Sequence, residues 1–204
     1  MSVRDSMRNL IRKLRQMGQA GMEDYKVVDE IYWSDQHIQD ILDSHRSRMT
    51  EAALITEPDY VSGSDIYTRY RLGLSPQRFG VEGTAEGTPY FRIADSTGAT
   101  IAASGYTFND ADLSVTFTAN TEGSARYLSG YSYDLNGAAR DLWLLKASHS
   151  YTAINFTADG HRFERGKIYD TCMNMVKFYE GAGGLTSGKQ RRMDLNGPGE
   201  GEHF

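Results

Sequence analysis

The sequence predicts an α+β fold: an antiparallel helical core of about four helices, an inserted small antiparallel β-sheet, and a disordered or extended C-terminal tail. Three observations predict it. Between Tyr133 and Glu180, apolar residues return at helical spacing twice, with a break at Asp159-Gly160. From about Tyr60 to Tyr131 the apolar residues alternate in short runs separated by Gly and Ser. After Glu180 comes GAGGLTSGKQRRMDLNGPGEGEHF, too rich in glycine and too poor in apolar side chains to offset the entropy of ordering alone. The expected organisation is a helical core from residues 1–56 and 132–182, a β-rich insertion at 57–131 and a tail at 183–204.

Taken in order, residues 3–17 form a basic amphipathic helix. Val3, Met7, Leu10, Ile11, Leu14 and Met17 share one face, and Arg4, Arg8, Arg12, Lys13 and Arg15 take the rest. The basic face is either solvated opposite a core stripe, or a contact for DNA phosphates or an acidic partner through Arg4, Arg8, Arg12 and Arg15. Gly18 and Gly21 stop this helix. Residues 22–33 read as a short connection or strand whose Val27, Val28, Ile31, Tyr32 and Trp33 dock on the helical core. Ser34 caps a second helix, with Asp35 in its first turn and Ile38, Ile41, Leu42, Met49, Ala52 and Ala53 as its stripe. That helix is expected to run to about Ile55, because Pro58 keeps the residue before it from staying helical.

In the insertion, Phe91, Ile93 and Asp95 alternate with Tyr90, Arg92 and Ala94. Leu113, Val115 and Phe117 alternate likewise with Ser114, Thr116 and Thr118, and Thr97-Gly98 supplies a tight turn. A sheet this small needs support from the helices or from a neighbouring subunit. Asp134 then caps a helix that buries Leu135, Ala138, Ala139, Leu142, Trp143, Leu145, Ala147, Tyr151 and Ile154. Gly160 turns the chain into a second helix with Phe163, Ile168, Cys172, Met175, Val176 and Tyr179 inside, ended by Gly181 and the glycines after it. The helical core is thus expected to rest on Leu135, Leu142, Trp143, Tyr151, Phe163, Ile168, Cys172 and Val176.

Composition narrows the function. Hydrophobic residues make up 39% of 204 residues and mean hydropathy is −0.54, low for a lone globule of this length. Burial against partners is one account; the glycine-rich ends are another. A net charge of −5 argues neither for nucleic acid nor against it. The single Cys172 rules out an intramolecular disulfide, and on an apolar helix face it reads as a small buried hydrophobe. No apolar run is long enough for a membrane span and MSVRDSMRNL lacks the apolar region of a signal peptide, so a soluble protein made in a reducing cytosol is expected, with no membrane partner.

No pattern asks for a catalytic, cofactor or metal site. Gly183 and Gly188-Lys189 approach a phosphate loop, but Gln190 stands where Ser or Thr would bind magnesium, and the segment follows a helix. Asn109-Asp110-Ala111-Asp112 lacks the Gly and distal Glu of a calcium loop and reads as a polar turn. His37 and His45 are too far apart on one helix to clamp a metal, and Ser148-His149-Ser150 has no positioned acid. Glu164, Asp170 and Glu180 do not pair as cooperating carboxylates. The 13 tyrosines suit protein interfaces better than a base-stacking platform, since few Lys or Arg interleave with them.

Certain stretches carry a resemblance. The Tyr-Asp-Leu-Asn opening at Tyr133, the Ala/Trp-rich helix after it, FTADGHRFERGKIYD, and a Met-rich helix closing on Lys177-Phe178-Tyr179-Glu180 resemble head–tail connector (adaptor, head-completion) proteins of tailed bacteriophages. YWSDQHIQDILDSHR resembles the same family's aromatic, Ser-Asp cap and Ile-Leu-Asp helix, and together these segments cover roughly half of the chain. The resemblance implies a structural virion protein of the neck between capsid and tail, made in the host cytoplasm. It also implies a homo-oligomeric, commonly dodecameric, ring seated between the portal and the next neck or tail protein. Genomic DNA would pass through the lumen without sequence specificity. An extended C-terminal segment is usual in the family, and Arg191, Arg192, Met193, Leu195 and Phe204 are the portal-anchoring candidates. The long β insertion departs from the minimal helical members. The alternative reading is a nucleic-acid-associated protein that uses the basic N-terminal helix.

Overall fold

The computed structural model describes residues 3–20, 26–27, 30–31, 33–83, 91–151, 156–158, 161–163 and 166–183. A 3-10 turn at Asp5–Met7 leads into α1 (Arg8–Gly18), β1 (Lys26–Val27) pairs with β2 (Glu30–Ile31), and α2 spans Asp35–Ser44. Then come β3 (Arg46–Val61), β4 (Ser64–Leu72), β5 (Phe79–Val81), β6 (Phe91–Asp95), β7 (Tyr106–Asn109), β8 (Ser114–Phe117) and β9 (Arg126–Asp134). α3 (Leu135–Tyr151), the paired strands β10 (Phe156–Ala158) and β11 (His161–Phe163), and α4 (Gly166–Gly183) follow. The fold is α+β: among the described residues, four helices with a seven-strand antiparallel sheet, in the order β5-β9-β3-β4-β8-β7 with β6 also on β9, curled into a half-barrel.

The helices form where the sequence periodicity places them. Met7, Leu10, Ile11 and Leu14 of the α1 face are buried with Trp33, Ile38 and Leu42, and with Leu135, Ala138, Ala139 and Leu142 of α3. Ser34 Oγ accepts from the His37 amide (3.3 Å) and Asp134 Oδ1 from the Gly137 amide (3.2 Å), so both expected caps are made. α1 ends on Gln19 in the left-handed region (φ 47). Gly18 serves a different need, because a Cβ there would lie 2.2 Å from Leu142 Cδ2. The carbonyls that α1 leaves unpaired at its end are bonded by the helices beyond: Met17 O by Trp143 Nε1 (3.1 Å) and Tyr179 OH (3.2 Å), Gly18 O by Lys146 Nζ (2.8 Å). α4 packs on α3 through Trp143, Ala147, Cys172 and Val176. Burial pushes the Cys172 thiol up, as suits a packing residue.

Four expectations need correction. α2 stops at Ser44, and the stretch expected to extend it to Ile55 is the first half of the 16-residue β3. Met49, Ala52 and Ala53 do fall at helical spacing. In the fold, however, Met49 pairs with Gly130, and Ala52 and Ala53 pair with Leu128 and Tyr127, across a bulge between Met49 and Ala52. Pro58 does not end a helix; it sits at the second irregularity of β3, between Glu57 and Asp59, where a missing N–H costs no ladder bond. The sheet is large, and holds its own core of Leu54, Tyr70, Leu72, Ile93, Leu113, Val115, Phe117 and Leu128. Finally, Phe163 belongs to β11, and Ile168 and Leu145, expected inside, are 53% and 41% exposed. The side chains of Tyr151 and Phe163, and Ile154 altogether, lie outside the described residues, as does the whole tail from residue 184.

A buried polar cluster joins the helices to the sheet. Glu82, just after β5, is fully buried; its Oε1 accepts from Arg4 Nε (2.9 Å) and Ser6 Oγ (2.8 Å), and its Oε2 from Tyr133 OH (2.5 Å). Arg4 also clasps both carboxylate oxygens of Asp43 on α2 (2.6 and 2.9 Å), and its amide donates to Gln39 Oε1 (2.8 Å). The Asp43 bond outweighs burial and lifts the Arg4 pKa above its usual value; burial, then the bond to Glu82, raises the Tyr133 phenol far above its own. Gly83 sits so close to the N-terminal segment that a Cβ would lie 2.7 Å from Ser6 O.

Removing one partner leaves the other charge buried. Glu82→Ala is therefore expected to cost about 3 kcal/mol, at the low end for a buried pair because Arg4 keeps Asp43. Tyr133→Phe is expected to cost about 1–2 kcal/mol. Urea unfolding of the full chain measures both, and a Glu82→Ala cost within about 0.5 kcal/mol of zero, as for an ordinary surface change, refutes the clamp.

Candidate interaction surfaces

With both cores filled, large apolar side chains still remain outside. They gather on separate parts of the chain. The first surface is a groove of about 660 Å³ between α2 and α3, lined by Trp33, His37, Ile41, Asp141, Leu144 and Leu145, with Asp40 and His149 at its sides. The spacing explains it. His37, Ile41 and Ser44 recur on one face of α2, and Asp141, Leu144, Leu145 and His149 on one face of α3. Trp33 meets His149 edge-on (5.8 Å between ring centres), and the Lys146 ammonium lies 5.0 Å from the Trp143 ring centre.

The groove's two helices are fixed to each other by Asp141. Its Oδ2 bonds His45 Nε2 (2.7 Å) at the end of α2, and its Oδ1 accepts from Arg140 (2.6 and 2.8 Å). Burial works against ionisation here, but the Arg140 and His45 hydrogen bonds outweigh it and hold the carboxyl below the usual range. Gly137 lets His45 lie close, since a Cβ there would be 2.8 Å from His45 Nδ1.

The second surface is the β3–β4 hairpin, whose far end stands away from the core as an arm. Its turn is Ser62-Gly63, both residues with positive φ (52 and 86), the two-residue hairpin turn that matches strand twist. Val61 pairs with Ser64 across it, Tyr60 is 74% exposed, and Ile55 and Val61 are also exposed. The arm is braced at its base, where Tyr67 O accepts from the Thr121 amide (3.0 Å) and Glu57 pairs with Arg69 (3.2 Å) and Arg71 (3.3 Å). Ile168 and Phe178 on α4 are also exposed.

The basic face of α1 splits in two. Arg4 is taken up by Asp43 and Glu82, and Arg15 by Asp35 (2.7 Å) and the carbonyls of Ala20 (2.9 Å) and Trp33 (2.6 Å). Arg8 and Arg12 remain exposed, bonded to Asp5 in the turn before α1 (2.8 Å) and to Asn9 on α1 (3.2 Å). Asn9 and Lys13 reach Asp110 in the β7–β8 turn (2.6 and 2.8 Å), so Asn109-Asp110-Ala111-Asp112 is a polar turn that holds α1. Among the described residues, no group of three His, Cys, Asp or Glu could hold a metal ion, and no helix is long and apolar enough to cross a membrane. Leu135, Leu142, Trp143, Cys172 and Val176 are buried as expected; Arg191, Arg192, Met193, Leu195 and Phe204 lie outside the described residues.

Sequence reasoning missed the groove and the arm. Tyr60 and Val61 read as ordinary strand residues, and Leu145 as core. Only the Val-Ser-Gly-Ser turn flanked by apolar residues hinted at a hairpin tip.

The lowered pKa of Asp141 fixes the sign of a pH effect. Its stabilising share is complete above the unfolded carboxylate value of about 3.9 and is lost as pH falls through the lower folded value. Asp141→Asn is therefore expected to lower the melting temperature at pH 7. The gap to the parent should close as pH falls below about 4, and a gap that stays constant down to acid pH overturns the assignment. Comparison with protein-family models and with curated proteins finds no match to this sequence.

Proposed function

We propose that the chain is a structural subunit that assembles head to tail into a closed ring, and that the ring is a head–tail connector of a tailed bacteriophage. The ring would join the portal to the next neck or tail protein and let DNA pass. One observation carries the assembly reading: a chain whose two cores are filled still exposes unlike apolar surfaces on its helical layer and on its hairpin arm. A ring requires unlike surfaces on each subunit, because a heterologous contact joins one patch to a different one. The groove between α2 and α3 offers a concave apolar site, and the arm offers a projecting one with Tyr60 at its tip. Tyrosine in such a place brings large contact area with few rotatable bonds. The connector identity adds the resemblance of the Ser34-capped helix, of the Tyr133–Asn136 opening and of the α4 sequence to that family. In this reading the helices are the antiparallel core of the connector, and the sheet with its arm is the insertion.

Basic-helix binding to nucleic acid is supported less well, since Arg4 and Arg15 have intramolecular carboxylate partners. In the connector reading the segment after Gly183 docks on the portal.

Two experiments test these readings. The first pairs an arm variant (Tyr60→Asp with Val61→Asp) with a groove variant (Leu144→Asp with Leu145→Asp), each checked for unchanged melting. In mass photometry each alone is expected to fail to assemble on the portal ring of the same virion. Mixed without the portal, they should stop at a heterodimer, since each retains one intact face; rings of parental size from either variant overturn the head-to-tail model. The second deletes residues 185–204, which should abolish portal binding with the fold intact. Unchanged portal binding rejects the anchor.

A further inference from the structure

The half-barrel brings together side chains that are scattered in sequence. Along one face of β9, Tyr127, Ser129 and Tyr131 follow each other at the strand period of two. Arg48 on β3 is paired with Tyr131, and Arg92 on β6 is paired with Ser129. Arg46, two residues before Arg48 on the same side of β3, lays its guanidinium over the Tyr131 ring, 4.7 Å from its centre. All three arginines are exposed, and none forms an ion pair with a described carboxylate. Arg92 donates one bond to Gly98 O (2.6 Å), which steadies it without neutralising it.

The surface is hollowed. The bulge between Met49 and Ala52, with Glu51 in the left-handed region (φ 49) and its amide held by Ser129 Oγ (3.0 Å), opens a pocket of about 290 Å³. Arg48, Arg92, Ser129 and Tyr131 line it, and Glu51 is the only acid among its described lining residues. A bulge costs ladder bonds and a left-handed non-glycine costs strain, and both recur where a strand presents side chains to a ligand.

We propose that this sheet face is a nucleic-acid backbone site, with Arg46, Arg48 and Arg92 as its phosphate-contacting residues. The chain carries a net charge of −5, so a cluster of unneutralised arginines on one face stands out against the whole molecule. Arg48 and Arg92 flank β9 and are separated by about two strand spacings, on the order of 10 Å, within the reach of long side chains to successive phosphates. Guanidinium groups bond phosphate oxygens in pairs, and Tyr127, half-buried farther along the same face of β9, offers ring surface to a sugar or base. The site reads no sequence, because its groups match the backbone. It is independent of the apolar surfaces proposed for assembly, so either can fail without the other.

The test measures fluorescence anisotropy of the full chain with labelled duplex DNA and single-stranded DNA of equal length. Three phosphate contacts predict a loss of duplex affinity of about forty-fold between 50 and 200 mM salt. Arg48→Glu with Arg92→Glu should abolish binding at the lower salt with melting unchanged. Arg8→Glu with Arg12→Glu on α1 should change it less than two-fold. A stronger hold on single strands assigns the tyrosines to stacking, and a stronger hold on the duplex assigns the site to phosphates alone. The proposal is overturned by no binding at 50 mM salt, by loss only in the α1 variant, or by vesicles of anionic lipid displacing the DNA at equal charge concentration.

Discussion

The structure hangs on a carboxylate that has no access to water. Glu82 is buried beside Arg4, and its oxygens accept from the guanidinium, from the Ser6 hydroxyl and from the Tyr133 phenol. An uncompensated charge at that depth is so unfavourable that its partners must arrive together. Those partners come from the segment before α1 and from the last strand of the sheet, and through Arg4 the cluster extends to Asp43 and Gln39 of α2. Apolar packing would hold these elements close in many orientations, whereas a bidentate guanidinium and a phenol fix one. β9 runs through both cores, with Leu128 in the sheet and Tyr133 among the helices, and its last residue caps α3. The sheet lies between α2 and α3 in sequence and is a structural partner of the helices.

Legibility in the sequence followed the range of the forces involved. Caps act over three residues, so Ser34 and Asp134 were readable, and strict alternation marked Leu113, Val115 and Phe117 as one buried face. The fate of residues 46–55 was not readable, because their apolar residues fit a helix and the pairing that wins comes from β9, some 80 positions away, with Ala53 opposite Tyr127. The destinations of the arginines were equally hidden: Arg4 finds Glu82 at a separation of 78 residues. A period identifies a face but not its partner. Ile168 has the helical period of Cys172 and Val176 but lies outside the α3–α4 seam they fill.

The modest hydrophobic content takes on a physical meaning once the two cores are counted separately. A half-barrel core and a helical core each need their own apolar set, and residues that serve one are lost to the other. Even so, Tyr60, Val61, Leu144, Leu145 and Phe178 stay in water, although burying side chains of that size stabilises by about 1.5–3 kcal/mol apiece. Scattered apolar residues on a surface, such as Phe178, need no account, but Leu144 and Leu145 line a concave groove and Tyr60 and Val61 stand at a hairpin tip. The helical layer and the arm thus hold unused burial energy on opposite kinds of shape.

One strand sets the relation between the surfaces. β3 is 16 residues long, on the order of 50 Å if extended, and its two irregularities divide it into three parts with different duties. The first part carries Arg46 and Arg48 beside β9. The middle, from Ala52 to Glu57, contributes Leu54 to the sheet core and passes the strand from β9 to β4. The last, beyond Pro58, is the arm. The middle is anchored in the sheet core through Leu54 and joins the basic face to the arm in one strand. Docking the arm on any partner therefore also fixes which way Arg46, Arg48 and Arg92 point. A closed ring built through the arm would present those arginines identically around its axis, turning a cluster of three charges into a continuous band.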